Sequence, residues 1–591
     1  MIGPSLVGWL GQPPEQAARL ARWAEDLGAQ PLLRDDALGL WLRPGGAARP
    51  LRWAGLAGAY VGRLYGVEDG ASPRTIAEAQ SGGRLQGLDG RFCAVLWDGG
   101  RHRLSLYRDP SSALPLYYRA AGPGAVFADD LDALAASPGS RGALDPDALH
   151  EYLRFLDIAS PSTVYAGIRS PEPGVELVLA PGAEPRSVPG PAPRSAPARA
   201  PDTGDLGRAA DRVEQLFDAA VARRLPPQGP VVAFLSGGVD SALIAASCAR
   251  LAPGRTVAFT VGFEEHGFDE TPAAAAIAAH LGLPHRVLRL PLAAYRPAFD
   301  ELAGLAAYPF ADPTAVPTLL AFRQARTMAP VALDGTGAEA CVGTMPGRHS
   351  RLAARIAAPL PRGLRRAAAG ALRHLGPIAR YAPLLELDDP EELLMRWRGW
   401  TGQEIESLCG VRPRLERTRF YRTYRRFPPG RHFERYTALL AVMPDDRIHE
   451  IGRLTDLEVR FPFFDPALAA YLDSLPIGLR HPPGEAKRIL REVLARRVPS
   501  GLWDLPKHGF DFPFAELLAL DNRALIRDYL DPKRIAESGL MDPPRVAETV
   551  ARLQAGEHRL AFRVWGLAVL FAWLARHRRP LLAALPGPAA D

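Results

Sequence analysis

The stretch Val231-Val232-Ala233-Phe234-Leu235-Ser236-Gly237-Gly238-Val239-Asp240-Ser241 constrains this chain more than any other. An apolar run stops at Ser-Gly-Gly-x-Asp-Ser and continues as Ala242-Leu243-Ile244-Ala245-Ala246, a pattern that predicts strand, tight loop and helix. The two glycines reach conformations closed to other residues and let backbone N–H groups of 236–241 approach a ligand. The helix that follows points its positive end at the same spot, so an anion belongs there. A Walker A loop needs four residues between its glycines and a Lys before the Ser/Thr, and this loop has neither. The plainer reading of the same residues is a strand-to-helix turn with Asp240 as cap.

A chain of 591 residues is too long for one core and predicts two to four domains at about 150 residues each. Apolar residues make up 47% and charged residues 23%, an ordinary globular mixture. The formal charge of +6 favours an acidic ligand such as ATP without arguing for nucleic acid. The four cysteines, at 93, 248, 341 and 409, have neither metal nor disulfide spacing, which fits a reducing cytoplasm. Met1-Ile2-Gly3-Pro4 does not open a signal peptide. The longest apolar run, Val564 to Ala575, is short of the roughly 20 residues of a membrane span and reads as a buried C-terminal helix. Lysine occurs only at 487, 507 and 533, so 71 − 3 = 68 of the basic residues are Arg. Where Lys survives such a bias, it marks a position to search for chemistry that a compact ammonium can do and a guanidinium cannot.

Residues 1–180 read as short apolar strands separated by Gly, Asp and Pro, hence antiparallel sheet in a sandwich. From 181 to 206 the chain is rich in Pro, Ala and Arg and reads as a linker. Over 207–591 strands and helices alternate: strand 230–235, helix 241–251, strand 256–262, helix 271–281, strand 285–290, helices 293–306 and 315–327, strand 330–334. That order predicts a doubly wound parallel sheet with ligands outside the carboxyl ends of its strands. The Ser-Gly-Gly loop lies there, and so does Asp334-Gly335-Thr336-Gly337-Ala338-Glu339. Between 345 and 430, Arg348, Arg351, Arg355, Arg362, Arg365 and Arg366 sit among Ala and Leu. They read either as solvated helix faces or as a docking surface for an acidic partner.

The Ser236–Ser241 loop resembles the pyrophosphate-holding loop of the ATP pyrophosphatases. Three further segments, in order, resemble the synthetase domain of asparagine synthetases. They are Phe259-Thr260-Val261-Gly262-Phe263 with Leu281-Gly282-Leu283-Pro284-His285, then Leu457-Glu458-Val459-Arg460-Phe461-Pro462-Phe463-Phe464-Asp465 preceded by Asp446-Arg447, and Pro506-Lys507-His508-Gly509-Phe510. Leu88 to Asp98, Tyr107-Arg108-Asp109 and Pro115-Leu116-Tyr117-Tyr118 resemble the same family's glutamine amidotransferase domain, an Ntn-type fold. That domain uses an N-terminal cysteine, with its own amine as base, to open glutamine. Here Ile2 stands in its place, so the resemblance implies a structural remnant.

The resemblance implies adenylation of a carboxylate: carboxylate oxygen attacks the α-phosphorus of ATP, pyrophosphate leaves, and an amine attacks the acyl-AMP. Leu235, Ser236, Gly237, Gly238, Val239, Asp240 and Ser241 are expected to hold pyrophosphate, with Val261, Gly262, Asp334 and Gly335 completing the ATP site. Asp240 and Glu339 are expected to hold Mg²⁺, a hard ion that takes few carboxylates plus phosphate oxygens. Lys507 is expected to serve the phosphate or the developing oxyanion. Glu458 and Arg460 read as a structural pair or as support for the site, and Asp446-Arg447 as a local supporting pair. Lys487 reads as a solvated helix residue with at most a supporting role. His285, His449 and His508 read as structural.

The family's loop carries Ser-Gly-(acid)-Gly-x-Asp-Glu where this chain has Asp334 to Ala340, so Thr336 and Ala340 replace two acids. That departure weakens aspartate as substrate. Without a glutaminase the amine comes from elsewhere, as in β-lactam synthetases and lasso peptide cyclases. Chain length, the altered loop and the Arg-rich segment favour the lasso cyclase, which joins a peptide's N-terminal amine to an Asp or Glu side chain. It implies a peptide substrate and, as partners, a leader peptidase and a leader-recognition protein. A small-molecule amide synthetase, an ammonia-using asparagine synthetase and an ATP-binding scaffold without activity remain as alternatives.

Overall fold

A computed structural model of the chain describes residues 3–577 apart from 112–113, 189–204, 264–269, 444–445, 483, most of 373–398, and 506–522 except 518. The N-terminal part is built on two six-stranded antiparallel sheets. One runs Ile168–Arg169, Tyr117–Ala121, Gly124–Ala128, Leu6–Leu10, Leu38–Leu42, Gln30–Arg34; the other runs Arg186–Val188, Glu176–Leu179, Arg103–Arg108, Gly90–Asp98, Leu56–Leu64, Ala48–Trp53. The strand Gly90–Asp98 explains why the sequence is apolar without alternation. Cys93, Val95 and Trp97 enter the layer between the sheets, while Phe92, Ala94 and Leu96 pack under the helix Ser72–Ser81. The first sheet is covered likewise, by Leu20 and Trp23 of the helix Pro14–Asp26 against Trp9 and Trp41. The expected sandwich is therefore a helix–sheet–sheet–helix stack, with the strands buried on both faces.

Arg186–Val188, inside the segment expected as linker, pairs with Glu176–Val178 and forms an edge of the second sheet. These three residues contain no proline, so their N–H groups can join a ladder, whereas the dense proline run begins at Pro189. The next described element is the helix Leu206–Arg224, capped by Asp205, whose carboxylate accepts from the Gly207 and Arg208 amides.

The second domain holds a five-stranded parallel sheet in the order His285–Leu290, Thr256–Phe263, Val231–Phe234, Val331–Leu333, Glu458–Arg460. Val231 and Ala233 face one layer, with Phe217 and Leu243, and Val232 faces the other, with Leu319 and Phe322. Helices on both faces make the sheet doubly wound. The strand order reverses between Val231–Phe234 and Val331–Leu333, and at such a switch point the loops diverge and leave a crevice.

The helix Ala561–Arg576 closes the fold. His558–Arg576 is long and apolar enough to cross a membrane by length and composition, but 72% of it is buried inside the protein. Gly566 accepts from the Tyr152 hydroxyl at 2.7 Å, and Trp573 Nε1 donates to the Ala306 carbonyl at 3.1 Å. One apolar cluster consequently runs from Trp9 and Trp41 of the first domain through Tyr152 and Leu153 to Trp565 and Phe571. Charges add to the junction. Arg224 Nη2 lies 2.6 Å from Asp89 and Nη1 3.4 Å from Asp465, Arg223 also binds Asp465, and Arg63 lies 3.2 Å from Glu458.

Candidate active site

The loop after Val231–Phe234 and the loop after Val331–Leu333 lie side by side at the switch point. A Cβ on Gly335 would stand 3.1 Å from the Cβ of Asp240, so a side chain there would force the loops apart. Gly337 has φ +93° and would put a Cβ 2.8 Å from the Phe464 ring. Gly237 has φ +74°, the left-handed conformation that lets the chain turn into the helix Val239–Leu251. Ser241 holds the turn: its Oγ donates to the Gly238 carbonyl (3.0 Å) and accepts from the Ser236 amide (3.1 Å). That amide is therefore engaged within the turn, and any ligand would have to meet the other amides of the loop. Leu235, expected among the ATP contacts, is buried and donates its amide to Phe259. Val239 packs on the same core. Asp334 accepts from both the amide and the hydroxyl of Thr336, at 2.8 and 2.6 Å, so this pair shapes the second loop. Val261 and Gly262 lie at the carboxyl end of the neighbouring strand, in register with Leu288 and Arg289.

The largest departure from the sequence reading is Lys487. Expected on a solvated helix face, it precedes the helix Arg488–Ala495 in a left-handed conformation, φ 59°, and its side chain turns inward. Nζ lies 2.5 Å from Asp240 Oδ2 and 3.6 Å from Glu339 Oε1. Burial works against the charge, but the two carboxylates outweigh it and raise the ammonium above the ordinary lysine range. The periodic Arg488-Ile489-Leu490-Arg491 run predicts a helix including 487, whereas that helix starts one residue later and frees 487 to turn. The clue in the sequence was the scarcity of lysine.

Other expected residues stand further back. Arg460 grips Glu458 with two bonds, Nε at 2.9 Å and Nη2 at 3.0 Å, and its Nη1 donates to the Arg224 carbonyl at 2.7 Å. Burial raises the Glu458 carboxyl, but bonding to Arg460 overcomes this and holds it below its usual range. The pair supports the strand beside the site, and among the described residues its side-chain bonds go to each other, to the Arg224 carbonyl and to Arg63 rather than to either glycine loop. Arg447, expected as a local pair with Asp446, lies 3.3 Å from Asp312 and donates to Thr318. Asp446 begins the helix Asp446–Leu454, and its side chain lies outside the described residues. Lys507 and His508 also lie outside them. His449 is buried and held neutral, its pKa lowered to about 3 by burial.

Residues 212–575 match the asparagine synthase family and residues 77–186 the glutamine amidotransferase domain. The chain belongs to the asparagine synthase family. Members of this family are ATP-dependent ligases that form amide bonds. A putative glutamine-hydrolysing asparagine synthetase of Mycobacterium bovis is 29% identical over 83% of this chain and 77% of its own length. The glutamine-hydrolysing asparagine synthetase 1 of Bacillus subtilis is 24% identical over 75% of this chain and 71% of its own. Among solved structures, glutamine phosphoribosylpyrophosphate amidotransferase of B. subtilis, 11% identical, covers 48% of this chain and 65% of that chain at a TM-score of 0.22.

In this asparagine synthase family chain Asp240 Oδ1 is buried without a hydrogen-bond partner among the described residues, while Oδ2 and Glu339 already share an ammonium. Two carboxylates around one cation, with an acceptor left over, fit a divalent ion beside phosphate, and Asp240 and Glu339 are the residues that would hold it. The node opens into a cavity of about 1760 Å³ that runs from Asp240 and Glu339 past Arg447 and Arg422 to Arg108 and Glu172 of the first domain. In the first domain Cys93 is sealed inside its strand, its Sγ 3.7 Å from the Pro115 carbonyl and its thiol pushed up by burial.

Proposed function

We propose that this asparagine synthase family ligase closes a peptide macrolactam, as a lasso peptide cyclase does. ATP activates an Asp or Glu side chain of the peptide, and the peptide's own N-terminal amine displaces AMP. The observation that carries this reading is the cavity. Its volume of about 1760 Å³ exceeds the roughly 300–1,000 Å³ of ordinary small-molecule sites, and its walls come from both domains. Beside the node the cavity leaves room for a folded peptide loop, more than free aspartate needs.

The chemistry follows from the residues at the node. The carboxylate oxygen bonds to the α-phosphorus as the bond to the bridging pyrophosphate oxygen breaks. The Ser236–Ser241 loop, at the positive end of Val239–Leu251, receives that leaving charge. A divalent ion on Asp240 and Glu339 would neutralise phosphate charge. Lys487 lies within the same node, and its compact ammonium is placed to follow the phosphate charge once a metal takes its carboxylates. The amine then attacks the acyl carbon, gives up a proton, and AMP departs. We assign Lys507 to the second half of this sequence, on the motif it shares with the family. Glutamine has no place in the scheme, because Cys93, the one cysteine of residues 1–180, is neutral and enclosed.

Purified protein, Mg²⁺, ATP and a leader-free core peptide supplied by the accompanying peptidase and leader-binding protein should yield AMP, pyrophosphate and a peptide lighter by one water, about 18 Da, with its amine blocked. Formation of ADP, glutamate release from glutamine, or asparagine from aspartate and ammonia would each overturn the reading.

A further inference from the structure

From Ala340 to Leu385 the chain holds eight arginines and not one Asp or Glu. Two helices in this stretch, Arg348–Ala357 and Arg362–Leu372, attach to the body through Ala354, Ala357, Arg365 and Ala369, all buried. Their outward face is not the solvated polar surface that arginine spacing suggests. Leu352, Ile356 and Leu364 are 54%, 60% and 61% exposed, with Leu360 between the helices also exposed. Leu352 and Ile356 lie one turn apart on the first helix, Leu360 in the turn that follows and Leu364 at the start of the second, so the exposed apolar residues form a stripe that the turn interrupts, and Arg348 and Arg355, spaced three or four residues from Leu352, flank its first half. Leaving several large apolar side chains in water on one face costs free energy that a covering surface recovers.

We propose that this face docks an acidic amphipathic helix presented by another protein. Charge decides the occupant's sign: the exposed Arg348 and Arg355 beside Leu352 and Ile356 match a helix bearing Glu or Asp along the edges of an apolar stripe. The cations are all guanidiniums, whose planar forks pair with carboxylates through two bonds. A membrane surface fits less well. No Trp, Tyr or Phe lies between 345 and 380 to anchor an interfacial helix, and Pro359 and Pro361 divide the stripe between two short helices. The face also stands next to the catalytic cavity along the chain. The amide of Thr344, four residues before Arg348, donates at 3.2 Å to Thr437 in the cavity wall, so a partner seated here would lie near the cavity.

The test is a fluorescence anisotropy titration of the full chain with a dye-labelled synthetic helix carrying Leu at i, i+4 and i+8 and Glu on both flanks. A peptide with Gln in place of Glu and vesicles of phosphatidylcholine with and without phosphatidylserine serve as controls. The Glu peptide should bind, at least about 10-fold more weakly as NaCl rises from 50 to 500 mM and charges are screened. A triple variant, L352S/I356S/L364S, and a charge variant, R348E/R355E, should each weaken binding by at least about 10-fold, with unchanged circular dichroism and unchanged ATP-dependent pyrophosphate release. The idea is overturned by three outcomes: no binding of the Glu peptide, equal binding of the Gln peptide or of the variants, or preferential retention by phosphatidylserine vesicles.

Discussion

At position 487 the chain accepts a left-handed backbone on a lysine, buries the side chain and sets it between two carboxylates. A non-glycine residue there costs about 1–2 kcal/mol, which the ion pairs must offset. Lys487→Ala leaves Asp240 and Glu339 facing each other without a counter-ion. It should lower the thermal midpoint and cost less than the about 3–5 kcal/mol of a fully buried pair, because these side chains are part-buried. Added Mg²⁺ should raise the variant's midpoint more than the wild type's, because the metal replaces the missing charge; a Mg²⁺ response no larger than wild type in a calorimetric scan would remove the two carboxylates as its ligands. Lys507→Arg should fold and bind ATP yet lose at least about 10²-fold in product formation, while Lys533→Arg should be nearly silent. Lys533 lies in the first turn of Pro532–Ser538, where its amide, not its ammonium, makes the cap bond to Asp531. Steady-state rates of the two variants side by side decide the matter. The lysine scarcity visible in the sequence pointed at both 487 and 507. Helical periodicity around 487 hid the first, because a pattern of side-chain types carries no sign of a residue standing just outside the helix it introduces.

Among elements, the strand–loop–helix around Ser236 was legible because three independent signals coincide there: an apolar run, a glycine pair and a helix-forming run. The strand Glu458–Arg460 was legible only as a motif, since three residues are too few for periodicity. It adds the edge of the sheet and, through the Asp334 amide bonded to the Arg460 carbonyl at 3.1 Å, sets the start of the second glycine loop. The proximity of the two loops is a tertiary fact that no local pattern contains. Gly335→Ala tests it. The new methyl would meet Asp240 at 3.1 Å, so the loops must separate by a few tenths of an ångström. Pyrophosphate release should fall about 10- to 100-fold, with the thermal midpoint within a few degrees of wild type, since misplacement of this order is costly in rate and cheap in stability. Unchanged turnover would show that the loops do not act together.

For the molecule as a whole, the two-domain plan follows from the change of pattern at the proline-rich segment, but the junction did not. Its members, such as Tyr152, Arg224 and Asp465, are ordinary residues until the chain folds back. One of them responds to pH. Glu151, on the helix Pro146–Phe155, accepts from the Ala159 amide at 3.1 Å, and burial pushes its carboxyl up to about 8. The unfolded chain gives up this proton near 4.5, the folded chain only near 8. Between those values the unfolded state binds fewer protons, so this group's contribution to stability falls as pH rises, by at most about 1.4 kcal/mol per unit. Glu151→Gln keeps the acceptor and removes the titration; its midpoint should overtake that of wild type steadily from pH 5 to 8, and parallel curves would show that Glu151 ionises freely.

The apolar cluster that joins Trp9 and Trp41 to Trp565 and Phe571 bears on how such a chain can change over time. A domain joined by a tether alone can be lost once its own reaction is no longer used. Here the sandwich supplies one wall of its neighbour's interior, so a gene encoding only 207–591 would make a protein with tryptophans and phenylalanines turned to water. Selection on the ligase is enough to keep the sandwich, and drift in its sequence should be slowest at that wall.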